Sequence, residues 1–212
     1  MICLGLDLGQ RRDHSALAIV ERRVKVTSRM DYAKWRQVEE VEAEPLVVRH
    51  LERMELGTQY FGVAQRVKEV VEWPGLAGRK ILAVDATGVG MPVVEMLAQQ
   101  RMGCELRPVV MTGGMGQSTD GVMWHVAKVD LMAGLREALE RGELKFAGEV
   151  AEGERLVEEM MSVTVGIRQT GRERVGADGC GEHDDLVIAV ALACWAAREG
   201  KPMEKPGKRL FW

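Results

Sequence analysis

The sequence lacks the signatures of several large protein classes. Its cysteines show no CxxC spacing, and its four histidines share no zinc-ligand spacing. It has no GxSxG motif of serine hydrolases and no GxxxxGK(S/T) loop of P-loop ATPases. The first residues predict a strand rather than a signal peptide, and no apolar run is long enough to span a bilayer. We therefore expect reduced thiols and a soluble protein of the cytoplasm.

Length and charge set further bounds. At 212 residues the chain is long enough for one domain with a substantial core. The net charge of −3 gives no support to a nucleic-acid partner and does not exclude one, because local patches set the field at a cleft. We predict one domain over residues 1–200. Residues 201–212, with two prolines and four basic residues, are predicted to form a flexible basic tail.

The hydrophobic pattern predicts alternating strands and helices. Strands are predicted at 2–8, 15–21, 22–30, 45–54, 80–85, 105–110, 144–146 and 163–168. Helices are predicted at 58–73, 90–101, 126–141, 149–161 and 183–198. Residues 31–44 are predicted to be a loop or short helix within a meander of the first four strands, and 112–121 a mobile loop. The order of elements predicts an α/β fold, with a central sheet flanked by helices.

Acidic residues lie at the ends of three predicted elements. Asp7 ends the first strand, Asp85 ends strand 80–85, and the pair Asp184 and Asp185 opens the last helix. Strand ends and helix starts bring distant parts of a sequence into one cleft, so we expect these carboxylates to converge. Their hard oxygen ligands suit Mg²⁺ or Mn²⁺, and two such ions about 4 Å apart promote phosphodiester hydrolysis. The pattern predicts a two-metal nuclease in which Asp7 bridges the ions.

Three alternatives to this interpretation remain open. A lone Asp at a strand end is usually a turn former, and Asp184 could simply cap the last helix. The segment Leu6-Asp7-Leu8-Gly9, followed by Ser15, resembles the first phosphate loop of actin-like and sugar-kinase-like nucleotide-binding domains. Those folds need two such domains, whereas this chain supplies about one. A DNA-binding or assembly module without catalytic activity is the third alternative.

Several segments together resemble the nuclease domain of phage large terminases. They are 5–16 (GLDLGQRRDHSA), 84–90 (VDATGVG) and 183–189 (HDDLVIA), and 128–135 with 141–145 is also similar. These matches follow the family order and cover residues 2 to 198. The resemblance implies a ribonuclease H-like fold, a central mixed sheet flanked by helices, that cuts double-stranded viral DNA during genome packaging.

The resemblance also assigns roles to individual residues. Asp7, Asp85 and Asp185 match the acids that bind the two metal ions, Mg²⁺ or Mn²⁺. Asp13 matches an additional acid near the site, Asp184 is an immediate neighbour of Asp185, and both are further metal-ligand candidates. Another metal-ligand candidate, three residues before Asp185, is Glu182.

The chain departs from a full terminase in having no Walker A loop of its own. Either this is a nuclease domain separated from its motor, or it is a stand-alone relative whose expected partner is a separate packaging ATPase, a portal protein or a small terminase component. If the protein is viral or comes from a prophage, the expected location is the cytoplasm of the host cell.

Basic residues near these acids are expected to bind double-stranded DNA. Arg11 and Arg12 lie in the turn beside the proposed ions, and Lys128 lies early in a helix. Arg172 and Arg174 belong to a Gly-rich loop that would face DNA as a flap. Lys128 and this loop fit ordinary solvent-exposed positions equally well.

Overall fold

A computed structural model describes residues 1–9, 13–33, 35–88, 90–162, 164–167, 173–176 and 184–199. The tail predicted over 201–212 lies outside the described residues. So do Arg11, Arg12, Arg172 and Glu182.

The described chain alternates strands with five helices, as the sequence predicts. The strands are β1 Ile2–Asp7, β2 Ala16–Glu21, β3 Val24–Asp31, β4 Arg36–Ala43, β5 Leu46–Arg53, β6 Lys80–Asp85, β7 Glu105–Thr112, β8 Gln117–Thr119, β9 Trp124–Ala127, β10 Leu144–Phe146, β11 Thr164–Ile167 and β12 Glu173–Gly176. The helices are α1 Tyr60–Val71, α2 Gly90–Gln99, α3 Lys128–Glu140, α4 Gly153–Ser162 and α5 Asp185–Arg198.

Eight of the strands form one mixed sheet in the order β10-β5-β2-β1-β6-β7-β9-β8. The central strand β1 pairs antiparallel with β2 and parallel with β6. A parallel pair needs a crossover connection, and α1 lies in the segment between β5 and β6. This mixed sheet with flanking helices confirms the predicted α/β fold.

The strands of the sheet centre are buried on both faces, and alternate side chains enter two separate cores. Leu4, Leu6 and Leu82 belong to the core cluster that contains α1 and α2. Cys3 and Ile81 belong to the other cluster, which contains α5 together with residues of α3 and α4. The period of two in a strand therefore assigns odd-numbered residues of β1 and β6 to the face that α5 covers.

Helix α5 is buried on almost every side. All of its residues from Asp185 to Cys194 are buried, and so are Ala196 and Ala197. An apolar character on all faces is typical of a helix inside a core rather than at a surface. Among the described residues, no helix is both long and apolar enough to cross a membrane.

The prediction for residues 31–44 is wrong, because 36–43 forms strand β4. Strands β3 and β4 pair with Val24 opposite Ala43 as a separate two-stranded ribbon. Strand β5, and not β3, pairs with β2 in the main sheet. The described side chains of β3 are exposed, so the ribbon does not show the alternation of a half-buried strand.

Two boundaries after β7 also differ from prediction. The segment 112–121, predicted to be a loop, contains β8, which pairs antiparallel with β9. Residues 126 and 127 were predicted to be helical, but they end β9, and α3 begins at Lys128. Strand β9 extends the sheet by pairing with the end of β7, so sheet pairing takes precedence here over the helical pattern.

Candidate active site

Asp7 and Asp85 lie side by side at the carboxyl ends of two neighbouring strands. In the parallel β1–β6 pair Leu6 lies opposite Val84, so the residues that follow them are adjacent. Both are odd-numbered, which directs their side chains to the face covered by α5. The register of the sheet therefore brings together two acids that are 78 positions apart in the sequence.

Gly5 lets α5 approach this face closely. A Cβ atom added at Gly5 would collide with the carbonyl oxygen of Ala189 and would lie 2.7 Å from the backbone nitrogen of Ala193. The helix therefore packs directly on the backbone of β1. Asp185 is the first residue of α5 and is buried, and this packing fixes where the helix presents it.

The negative charges that act on Asp7 come from the other predicted acids. Burial raises the pKa of Asp7 well above its usual value of 3.8, and the negative charges of Asp85, Asp185 and Asp184 raise it further. The positive charge of Lys128 opposes this rise. Each of these charges must lie near Asp7 to act on it. Three of the predicted metal ligands and the neighbouring Asp184 thus form one acidic cluster.

The pKa of Asp85 is also raised by burial, although hydrogen bonds oppose the shift. Its Oδ1 accepts a hydrogen bond from the backbone N–H of Thr87 at 2.8 Å. A hydrogen bond with Asp7 acts in the same direction. Asp85 therefore has both roles that the sequence left open, since it forms a turn and also belongs to the acidic cluster.

Two basic side chains hold the acids at the start of α5. Arg53, from the end of β5, places Nη2 3.2 Å from Oδ2 of Asp185. Lys128, the first residue of α3, places Nζ 2.7 Å from Oδ2 of Asp184. Lys128 thus lies at the acidic cluster instead of on a solvated helix face, and Arg53 is a site residue that the sequence analysis missed.

The cluster has the donors of a divalent-metal site, although its side chains are engaged with each other. Among the described residues, no group of three or more His, Cys, Asp and Glu side chains is arranged to hold a metal ion. Arg53 binds one carboxylate oxygen of Asp185, and Lys128 binds one of Asp184. Carboxylate oxygens are nevertheless the ligands that Mg²⁺ and Mn²⁺ prefer. The carboxylates of the acidic cluster are therefore of the right chemical type to bind such ions.

Glu159 of α4 is a second residue that the sequence analysis missed. It is 6% exposed, and its Oε2 accepts hydrogen bonds from the backbone N–H groups of Leu186 and Val187 at 2.9 and 3.3 Å. Burial raises the pKa of the Glu159 carboxyl to about 7, against these hydrogen bonds. The signal in the sequence is the helical spacing, since Glu159 lies three residues after the buried Leu156.

The remaining predicted residues are less closely tied to the cluster. Asp13 is exposed, in the turn between β1 and β2, and is not among the charges that act most strongly on Asp7. Arg174 lies in β12 opposite Gly166, and its side chain is not described. Its expected contact with DNA, like that of Lys128, stays a prediction.

The turn that follows β1 bears on the alternative of a nucleotide-binding loop. Ser15 is 5% exposed, and its Oγ accepts a hydrogen bond from the backbone N–H of Gly9 at 3.1 Å. An added Cβ at Gly9 would collide with backbone atoms of Asp13 and His14. The Ser15 hydroxyl therefore closes the turn between β1 and β2, which accounts for this serine without a phosphate ligand.

Comparison with solved structures identifies the fold. The large terminase nuclease from thermophilic phage G20c with bound magnesium is similar, with 22% identity, a TM-score of 0.61, and coverage of 92% of this chain and 80% of that one. The nuclease domain of the Thermus phage P74-26 large terminase matches with 20% identity, a TM-score of 0.56, and coverage of 91% and 77%. A variant nuclease domain of the large terminase subunit gp2 of bacterial virus Sf6, with manganese and beta-thujaplicinol, matches with 12% identity, a TM-score of 0.58, and coverage of 91% and 87%.

Sequence comparison adds nothing to this, since no family model and no curated protein matches the chain. The structural likeness nevertheless extends over nine tenths of the chain. The chain therefore has the ribonuclease H-like fold of the nuclease domain of phage large terminases, as the resemblance of its segments predicts.

Proposed function

We propose that this protein is a metal-dependent nuclease that cuts the phosphodiester bonds of double-stranded DNA with two divalent cations, Mg²⁺ or Mn²⁺. The observation that carries the proposal is the acidic cluster of Asp7, Asp85 and Asp185 at one edge of the sheet. The likeness in fold to nuclease domains that bind magnesium or manganese supports it.

Each member of the cluster has a distinct role in this proposal. Asp7 lies on the central strand β1 and would help to hold both ions, while Asp85 and Asp185 would each help to hold one of them. Asp184 and Asp13 are additional ligands or neighbours. Bound divalent ions supply an activated water and neutralise negative charge on the phosphate and the leaving oxygen.

The cations of the chain hold the substrate in this proposal. Lys128 already lies at the cluster, where its ammonium is 2.7 Å from Asp184, so a phosphate near the ions would come within its reach. Arg11, Arg12, Arg172 and Arg174 are proposed to bind the DNA backbone on either side. Backbone contacts of this kind position DNA without reading its sequence, so we expect cleavage with little sequence preference.

We also propose a wider setting for this nuclease. We propose that residues 1–200 form the nuclease domain, followed by a basic tail over 201–212. A separate packaging ATPase would supply the motor, and a portal protein or a small terminase component would be another partner, in the cytoplasm of the host cell.

The direct test is cleavage of a supercoiled plasmid in Mn²⁺ or Mg²⁺. Variants Asp7→Asn, Asp85→Asn and Asp185→Asn keep the side-chain volume while removing the charge that holds a cation. We expect each to lose cleavage by a factor of at least about 100, and EDTA to abolish it in the wild type. The matched control is Glu149→Gln, an exposed acid, which should cleave like the wild type. Undiminished cleavage by Asp7→Asn would overturn the proposal.

A further inference from the structure

The helix that presents Asp185 is capped from outside. The N-cap residue of α5, Asp184, makes no side-chain hydrogen bond to the first turn. The two N–H groups that a cap would satisfy, those of Leu186 and Val187, donate instead to Oε2 of Glu159 on α4. A carboxylate at the start of a helix also interacts favourably with the helix dipole. Glu159 therefore ties the first turn of α5 to a different helix.

Arg53 holds the same turn of α5 through the side chain of Asp185. In the β2–β5 pair Arg53 lies opposite Ala16, and in the β1–β2 pair Ala16 lies opposite Asp7. The three residues thus form one row across the sheet with side chains on the face of α5. From this row the guanidinium reaches Oδ2 of Asp185. The carboxylate of Asp185 is therefore held by a side chain whose strand is in register with Asp7.

Glu159 is buried and Arg53 is largely buried, with a side chain 10% exposed, and each has a polar atom without a partner among the described residues. These atoms are Oε1 of Glu159 and Nε of Arg53. Buried polar groups in proteins are nearly always hydrogen-bonded, so each of these atoms can accept or donate one further hydrogen bond beside Asp185. In metal sites, residues that do not bind the metal often hydrogen-bond to a metal-binding residue and so hold it in place.

We infer that Glu159 and Arg53 are positioning residues for the reaction, and that they fix the Asp185 carboxylate relative to Asp7. Glu159 acts through the backbone of α5, and Arg53 acts by holding Oδ2 of the Asp185 carboxylate. The inference rests on the proposed function, since Asp185 needs a fixed position only if it shares ions with Asp7. Neither residue touches the reacting atoms.

The test compares four proteins: wild type, Glu159→Ala, Glu159→Gln and the matched control Glu158→Ala. Glu158 is the preceding residue of α4 and is exposed. The glutamine keeps an oxygen that accepts the N–H groups of Leu186 and Val187, whereas alanine removes it. Amide hydrogen exchange at these two residues measures how well Glu159 protects their N–H groups, and this measurement does not depend on enzymatic activity. Mn²⁺ affinity from calorimetry and single-turnover plasmid cleavage report the position of Asp185.

We expect faster exchange of both amides in Glu159→Ala, a Mn²⁺ Kd about 10–100-fold higher, and a cleavage rate reduced by a similar factor. KM for DNA should stay unchanged, because Glu159 does not contact the substrate. Glu159→Gln should recover most of both losses, and Glu158→Ala should match the wild type. Arg53→Met should weaken Mn²⁺ binding without changing exchange at Leu186 and Val187, because Arg53 holds the side chain and not the backbone.

The outcomes separate this inference from the function on which it rests. If the wild type binds Mn²⁺ and cleaves DNA, and Glu159→Ala does the same as Glu158→Ala, the inference alone is wrong. It is also wrong if Glu159→Gln loses as much as Glu159→Ala, since the acceptor oxygen would then not matter. A wild type that neither binds Mn²⁺ nor cleaves overturns the proposed function, and the inference with it. If Glu159→Ala does not fold, the Glu159→Gln and Arg53→Met variants decide by the same measurements.

Discussion

Replacing Gly5 with alanine tests how α5 is held against β1. The added Cβ would collide with the carbonyl oxygen of Ala189 and lie 2.7 Å from the nitrogen of Ala193. Overpacking a core typically costs about 1–3 kcal/mol. Because backbone atoms of a buried helix must move here, and not a flexible side chain, we expect the upper end, about 3 kcal/mol. For a chain of this size each kcal/mol lowers Tm by about 2–4 °C, so Tm should fall by about 6–12 °C.

The assay is thermal unfolding in EDTA followed by circular dichroism, with Gly75→Ala as the control. Gly75 is exposed, and a Cβ added there meets no atom within 4 Å, so its Tm should stay close to that of the wild type. Since α5 carries Asp185, we also expect Gly5→Ala to bind Mn²⁺ more weakly than Gly75→Ala. A Gly5→Ala variant with the Tm and Mn²⁺ affinity of the control would refute the close approach of α5 to β1.

Three further predictions concern the charges at the site. Asp7→Asn should abolish Mn²⁺ binding. In EDTA its Tm should equal or exceed that of the wild type, because the substitution removes one of several like charges. A large loss of Tm would show that Asp7 is needed for the fold. Lys128→Met should increase Mn²⁺ affinity, since the ion no longer competes with an ammonium 2.7 Å from Asp184. The same substitution should raise KM for DNA. A Mn²⁺ affinity and a KM equal to those of the exposed control Lys145→Met would contradict this prediction. The raised pKa of Glu159 means that the native state binds its proton more tightly than the unfolded state, so its contribution to stability should be lost as pH rises from 4.5 through about 7. The Tm difference between Glu159→Gln and wild type in EDTA should therefore grow in favour of the variant over that range, and a difference independent of pH would contradict the raised pKa.

The parts of the fold that the sequence predicted are those in which burial leaves a pattern. Strands β1 and β6 are short apolar runs that end in Asp7 and Asp85, and α5 is a long apolar run after Asp185. Strand β4 was missed because its ribbon is not part of the main sheet and shows no half-buried alternation. Short strands β8 and β9 are defined by their pairing with each other and with β7, which a local pattern does not contain.

The acids of the candidate site could be predicted from the sequence, whereas helical spacing is a weak signal for Glu159 and there is none for Arg53. Asp7, Asp85 and Asp185 stand at element ends beside apolar runs, where an acid is conspicuous. Arg53 ends a strand of mixed polarity, and only the register of three strands places it in line with Asp7. Glu159 follows Glu158 in an acidic stretch typical of a solvated helix face. Its burial depends on the packing of α4 against α5, which involves residues 27 positions apart.

The central claim is that the carboxylates of Asp7, Asp85 and Asp185 share divalent cations, and anomalous diffraction from Mn²⁺-soaked crystals tests it most directly. We expect two manganese peaks about 4 Å apart, with Asp7 bound to both and Asp85 and Asp185 each bound to one. Crystals soaked in saturating Mn²⁺ that show no peak among these three carboxylates would contradict the account.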